Sequence, residues 1–210
     1  MHPADCERIP SPGPLRGSVI VLHGYGARGA VHRGDGRVFH GPGVEVLMPD
    51  APGHGPRDDG RLQRLARLSD ADRRAAILEI ARRWIPEVRM LAAERRAQGA
   101  RRVVVVGTSM GGFAALGALR APRALDAVAA LLAGPDLLSE EDLPVASTPT
   151  LVGLAGRDEA VSPAPGRSFA ARVGAELHEY PHSEHLMREE DWRDLWSHTA
   201  AFVRRNLVGS

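Results

Sequence analysis

One serine stands in a spacing typical of nucleophilic catalysis. Residues 107–111 read Gly-Thr-Ser-Met-Gly, the pattern G-x-S-x-G, between a run of four valines and a segment rich in small residues. A sharp strand-to-helix turn exposes such a serine, and side chains at Gly107 and Gly111 would clash there. The pattern therefore predicts Ser109 as a nucleophile. A phosphate-binding turn is the alternative, but neither G-x-G-x-x-G nor G-K-[ST] is present.

Two segments together resemble the α/β-hydrolase superfamily. They are the Ser109 turn and residues 23–26, His-Gly-Tyr-Gly, which follow the first predicted strand. Residues 48–57 resemble a turn found in small single-domain serine esterases of the dienelactone-hydrolase and prolyl-oligopeptidase-like branch. The resemblance extends along nearly the whole chain. It implies a serine hydrolase whose nucleophile, acid and histidine follow in that chain order.

The same resemblance assigns an acid and a base. Residues 156–163 match the family's G-x-D-x-x-V-x-P turn and imply Asp158 as the acid, with Asp136, after the preceding strand, as the rival. The loop before the last helix implies His185 as the general base, with His182 as the rival. His185 would take the proton of Ser109, and Asp158 would orient the imidazole.

The resemblance also implies two backbone N–H donors for a developing oxyanion. They belong to Tyr25 and to Met110, the residue after the nucleophile. Such fixed donors stabilise the new negative charge without reorganising. His23 is interpreted as a structural turn residue. Asp50 and His54 are interpreted as local hydrogen-bonding partners in a turn rich in glycine and proline.

Three histidines near the C-terminus allow a metal-site interpretation. His178, His182 and His185 have no second acidic ligand at a known spacing, and residues 182–185 miss H-x-x-E-H by one residue. The chain has no lysine, which excludes a lysine Schiff base and a phosphate-binding lysine. We therefore expect neither a metal nor a cofactor.

The elements that must position these residues alternate along the chain. Short apolar runs that end at glycine or proline predict buried strands, and segments with helical spacing separate them. The predicted strands cover residues 19–22, 44–48, 103–106, 127–133, 150–154 and 175–180. This alternation predicts an α/β fold with a mostly parallel sheet, helices on both faces and reactive groups at the carboxyl ends of the strands.

Two helices carry further expectations. Apolar residues recur at helical spacing over residues 77–91, and Ser69 with Asp72 predicts a capped start. Pro86 lies inside this pattern and predicts a kink or a break that divides the helix into two pieces. Near the C-terminus, the aromatic and apolar residues of segment 192–203 predict a helix that covers the sheet.

The pattern also predicts domain limits and an open pocket. We expect a flexible tail at residues 1–17 and a single minimal α/β-hydrolase domain at residues 18–208, with a short cap or none. The segment 134–149 is short for a lid. Its leucines, Leu137, Leu138 and Leu143, either line an acyl pocket or anchor a surface loop.

Composition limits the classes of partner. The chain has 210 residues and a formal charge of +1, and its arginines are scattered among acidic residues, so we expect no nucleic-acid footprint. No apolar run approaches a membrane span, and the N-terminus lacks a signal-peptide core. The single cysteine, Cys6, fits a reducing compartment. We expect a soluble, cytoplasmic protein.

These features favour a hydrolase that cleaves a carboxylic ester or thioester of modest size, a small-molecule acyl substrate, through an acyl-enzyme intermediate. The motifs leave open peptide cleavage, lactone opening, and acyl transfer or cyclisation on the same residues. They also leave open a catalytically silent ligand-binding protein of the same fold. The sequence makes no prediction of the oligomeric state.

Overall fold

The computed structural model describes residues 6–120, 125–138 and 148–208. In these ranges seven strands form one sheet. They are β1 (Cys6–Ile9), β2 (Gly17–Leu22), β3 (Val44–Pro49), β4 (Arg102–Thr108), β5 (Ala127–Leu131), β6 (Thr150–Ala155) and β7 (Glu176–Tyr180). The order across the sheet is β1-β3-β2-β4-β5-β6-β7, so β4 lies at its centre.

Strand direction is parallel through most of the sheet. β1 pairs antiparallel with β3 at one edge, and every other neighbouring pair is parallel. The carboxyl ends of β2, β4, β5, β6 and β7 therefore share one edge of the sheet. Because the central strands are covered on both faces, their residues are buried without alternation, as in the valine run of β4.

Helices pack on both faces of this sheet. They are α1 (Arg33–Gly36), α2 (Arg61–Leu65), α3 (Asp70–Ala97), α4 (Met110–Ala118), α5 (Pro163–Val173) and α6 (Glu189–Val208). One face holds α3, α4 and α5, which contribute Trp84, Phe113 and Phe169 to a single core. The opposite face is covered by α6 through Trp196 and Phe202. In the described ranges no helix has both the length and the apolar character of a membrane span.

The sequence predictions of fold class and strands are confirmed. The sheet is mostly parallel with helices on both faces, and each of the six predicted strands is present with slightly different ends. The capped start of α3 is also confirmed, since Asp72 N–H donates to Ser69 Oγ at 3.2 Å. The predicted helix at the C-terminus is α6.

Part of the segment predicted as a flexible tail, residues 1–17, is a strand in the structure. Residues 6–9 form β1, which adds an antiparallel edge to the sheet. The Glu45 carboxylate of β3 links this edge to the next strand: Arg8 Nε donates to its Oε2 at 3.0 Å, and Ser18 Oγ of β2 donates to its Oε1 at 2.7 Å. The sequence of β1, Cys-Glu-Arg-Ile, has no apolar run, so the pattern that predicted the other strands did not reveal it.

The prediction that Pro86 divides the helix is also wrong. α3 is one helix of 28 residues with Pro86 inside it. Proline removes one backbone hydrogen bond and crowds the preceding turn. Here Trp84 and Val88, on either side of the proline, are fully buried in the core. Their burial on both sides of the proline is compatible with a helix that continues through it.

Candidate active site

Ser109 lies in a strained turn between β4 and α4. Its backbone has φ 53° and ψ −114°, in the region that L residues with side chains seldom adopt. Ser109 N–H donates to the carbonyl of Leu131 at the end of β5, at 2.7 Å. The neighbouring strand thus fixes the strained residue, which projects its hydroxyl above the sheet edge.

The two glycines of the G-x-S-x-G pattern allow the chain to pass closely at this turn. A Cβ atom at Gly107 would lie 2.1 Å from the carbonyl oxygen of Gly111. A Cβ atom at Gly111 would lie 2.4 Å from the carbonyl oxygen of Leu22, at the end of β2. Both distances are far inside van der Waals contact, so the turn requires glycine at both positions.

The structure brings together the three side chains proposed from the sequence. Ser109 Oγ lies 3.0 Å from His185 Nε2, and His185 Nδ1 lies 2.7 Å from Asp158 Oδ2. The Asp158 side chain is almost fully buried at 2% exposure, whereas the His185 side chain is 26% exposed. A hydroxyl, an imidazole and a carboxylate therefore form one continuous hydrogen-bonded series, with its reactive end open to solvent.

The loop after β6 holds Asp158 in place. Asp158 Oδ1 accepts a hydrogen bond from the backbone N–H of Val161 at 2.7 Å, which leaves Oδ2 for the imidazole. The rival acid, Asp136, has a different partner, because its Oδ1 accepts from Arg74 Nη2 at 2.7 Å. Of the two carboxylates considered from the sequence, Asp158 is the one that contacts His185.

The other histidines of the C-terminal segment lie apart from Ser109. His182 is exposed, with its Nδ1 3.5 Å from Arg157 Nη2. His178 stacks on the ring of His198, with 4.0 Å between their centroids. Within the described part of the chain, no three His, Cys, Asp or Glu side chains converge as they would around a metal ion.

The segment after β2 passes beside Ser109. A Cβ atom at Gly24 would lie 3.7 Å from Ser109 Cβ. The N–H of Gly26 donates to His54 Nε2 at 3.2 Å and is thereby engaged. Met110 is the first residue of α4, where the helix offers no acceptor for the backbone N–H. The two proposed oxyanion donors, Tyr25 and Met110, thus belong to segments that flank Ser109.

Two buried histidines connect this segment to the turn after β3. His23 donates from Nδ1 to the carbonyl of Gly24 at 2.8 Å and accepts at Nε2 from Ala51 N–H at 3.0 Å. His54 is likewise placed between Pro52 O, 3.1 Å from Nδ1, and Gly26 N–H. Burial lowers the pKa of His23 to about 4 and also lowers the pKa of His54. Both rings are therefore neutral near pH 7, as these contacts require.

The low pKa of His23 predicts acid sensitivity of the fold. The unfolded state binds a proton at His23 near pH 6.5, but the folded state binds it only near pH 4, so the stability is lost as the pH falls through that window. We expect His23 to account for about 2–3 kcal/mol of lost unfolding free energy between pH 7 and pH 4.5. Urea unfolding at both values should show a smaller loss in His23→Gln. An equal loss in the two proteins would contradict this assignment.

A cleft of about 940 Å³ opens over Ser109. Its apolar lining includes Ile77 from α3, Phe113 from α4, and Leu132, which follows β5. Trp192 from α6 lines the other side, next to the loop that carries His185. The charged residues that line the cleft are Asp70, Arg73, Arg74, Glu159. The cleft thus combines apolar walls with a charged border.

Sequence reasoning missed part of this lining. The leucines considered for an acyl pocket, Leu137 and Leu138, join the core instead, and Leu143 lies outside the described residues. The first turns of α3 form a wall of the cleft, although the sequence predicted only a capped amphipathic helix there. Trp192, interpreted as structural, packs against the core and lines the cleft as well. Neither role has a local sequence signal.

Solved structures of similar fold include an esterase, a thioesterase and a candidate dienelactone hydrolase. Esterase PE8 is 22% identical, with a TM-score of 0.73 over 94% of this chain and 96% of its own. Acyl-protein thioesterase 2 from Zea mays is 17% identical, with a TM-score of 0.63 over 94% of this chain and 98% of its own. A candidate dienelactone hydrolase from Klebsiella pneumoniae subsp. pneumoniae MGH 78578 is 17% identical, with a TM-score of 0.66 over 95% of this chain and 92% of its own. At these identities the likeness shows the fold.

The family follows from the sequence. No curated protein matches the chain. The profile of the Alpha/beta hydrolase family matches residues 19–137, which is more than half of the chain and includes the Ser109 turn. The chain therefore belongs to the alpha/beta hydrolase family and is an enzyme of the hydrolase class.

Proposed function

We propose that this protein is a serine hydrolase that cleaves a carboxylic ester or thioester of modest size through an acyl-enzyme. The observation that carries the proposal is the hydrogen-bonded series in which Ser109 Oγ is 3.0 Å from His185 Nε2 and His185 Nδ1 is 2.7 Å from Asp158. These distances lie within reach of direct proton transfer and orientation.

The proposed first step is attack of Ser109 on the substrate carbonyl. Asp158 accepts the Nδ1 proton of His185 in a hydrogen bond, which leaves Nε2 with a lone pair toward the hydroxyl. As the Oγ–carbon bond forms, Nε2 takes the hydroxyl proton and Asp158 stabilises the imidazolium. His185 then gives that proton to the departing alcohol or thiol, and the acyl group stays on Ser109.

Water completes the cycle by the same route. His185 takes a proton from a water molecule that attacks the acyl carbonyl, the bond to Oγ breaks, and the proton returns to Ser109. In both steps the carbonyl oxygen becomes negative, and we assign the N–H groups of Tyr25 and Met110 as its donors. Each proton transfer has a side chain to perform it, so the scheme uses no metal and no cofactor.

The cleft supports a substrate of modest size. Its volume of about 940 Å³ lies within the range of sites that take a drug-sized molecule, which agrees with an acyl compound of modest size. Apolar walls at Ile77 and Phe113 favour an uncharged acyl group. Esterase PE8 and the Zea mays thioesterase share this fold, which agrees with ester or thioester chemistry. We propose a cytoplasmic location on the single cysteine of the chain.

A kinetic panel tests the proposal. p-Nitrophenyl acetate, butyrate and octanoate, with the matching acyl-CoA thioesters, should be hydrolysed with a preference for the short chains. Under excess substrate, a pre-steady-state burst of p-nitrophenol close to one per chain should appear if deacylation is slower than acylation. Absence of turnover on every ester and thioester would refute the proposal and favour a silent ligand-binding protein.

A further inference from the structure

One guanidinium joins three segments at the wall of the cleft. Arg74, in the second turn of α3, donates from Nη1 to the carbonyl of Ala160 at 2.8 Å. It donates from Nη2 to Asp136 Oδ1 at 2.7 Å, and its Cζ lies 5.9 Å from the ring centre of Phe113. Arginine suits this position because its planar group presents several donors in fixed directions.

The carbonyl that Arg74 contacts belongs to the peptide group that holds Asp158. Ala160 C=O and Val161 N–H are the two ends of one peptide unit, and this N–H donates to Asp158 Oδ1 at 2.7 Å. A single planar amide therefore receives a hydrogen bond from a cation at its oxygen and gives one to a carboxylate at its nitrogen.

This arrangement strengthens the hold on the carboxylate. A hydrogen bond to a carbonyl oxygen polarises the amide, and a polarised N–H is a stronger donor to the next acceptor in the series. Because the first donor is a cation and the last acceptor an anion, both bonds are charge-assisted. Oδ1 is thereby fixed toward Val161, and Oδ2 is kept toward His185 Nδ1.

We propose that Arg74 is a positioning residue for the Ser109, His185 and Asp158 series and acts through the peptide unit between Ala160 and Val161. The proposal rests on the function proposed above. It differs from a role in binding the substrate, because the contacts of Arg74 are directed to protein groups and its charge is paired with Asp136. Although Arg74 lines the cleft, we expect its replacement to change the rate of the chemical steps rather than the affinity for substrate.

The kinetic test compares Arg74→Met and Arg74→Lys with Arg82→Gln, an exposed arginine of the same helix that pairs with Glu79. We expect Arg74→Met to lower kcat about 10-fold with KM changed by no more than about twofold, since small misplacement of a catalytic group costs rate rather than binding. Acetate and butyrate esters should lose kcat by the same factor. Arg74→Lys, which keeps one charged donor, should restore part of the rate, and Arg82→Gln should match the wild type.

A spectroscopic readout separates this proposal from the proposed function. The proton between His185 Nδ1 and Asp158 should give a low-field proton NMR signal that shifts or broadens in Arg74→Met but not in Arg82→Gln. This signal requires no turnover, so it decides the role of Arg74 even if no ester is hydrolysed. An unchanged signal with unchanged kcat would overturn the proposal. So would an effect confined to KM or to one acyl length, which would indicate a wall of the pocket. Urea unfolding checks that each variant is folded.

Discussion

Ser109→Ala is expected to lower kcat/KM for p-nitrophenyl acetate by about 10⁴-fold or more, because no other group can form the acyl-enzyme. The His185–Asp158 contact and the oxyanion donors would remain, so a small residual rate above water is expected. The change removes one oxygen atom and no buried apolar contact, so the fold should be retained. Steady-state kinetics with circular dichroism measures both quantities.

The matched control for this variant is Ser11→Ala, at a serine away from the cleft whose hydroxyl donates to the carbonyl of Gly13 in a local turn. It should keep wild-type kinetics. Loss of a catalytic serine lowers kcat/KM by far more than about 10-fold. If Ser109→Ala kept more than about a tenth of the wild-type kcat/KM, the assignment of Ser109 as the nucleophile would therefore be wrong.

Asp158→Asn should lower kcat by about 10⁴-fold with little change in KM. The buried amide can donate to His185 Nδ1 and would then hold the imidazole in the tautomer that has its proton on Nε2. That nitrogen could no longer accept the proton of Ser109. Steady-state kinetics on the acetate ester measures the loss, and an unfolding curve shows whether the isosteric change preserves the fold.

Asp136→Asn provides the contrast for Asp158→Asn. Both aspartates follow neighbouring strands, and both were possible acids from the sequence. Asp136 contacts Arg74 rather than His185, so its variant should lose no more than the Arg74 variants do. A larger loss in Asp136→Asn than in Asp158→Asn would exchange the two assignments.

Local patterns were enough to predict the central strands and the sharp turn at Ser109. The valines of β4 are buried on both faces. Gly107 is required by a contact within the turn, and Gly111 by the close approach of the carbonyl of Leu22. A single sequence shows such features directly, as runs of apolar residues and as glycines at fixed spacing. The prediction of Ser109, Asp158 and His185 required more than local patterns. It rested on the resemblance of three segments to the family and on the order of the strands.

Other features depend on contacts between distant residues. β1 forms by pairing with β3, where Arg8 also contacts the buried Glu45, and α3 stays continuous at Pro86 because the core covers both sides of it. Arg74 contacts Ala160, 86 residues away along the chain. Sequence spacing could not predict this contact, because the contact results from how α3 packs against the loop after β6.

The most direct test of the account is covalent labelling with a fluorophosphonate, followed by peptide mass spectrometry. Such a reagent reacts with a serine hydroxyl that a neighbouring base activates. We predict one adduct per chain, on the peptide that contains Ser109, with much slower labelling in His185→Ala and none in Ser109→Ala. A folded wild-type chain that takes up no label, or takes it up at another residue, would contradict the account.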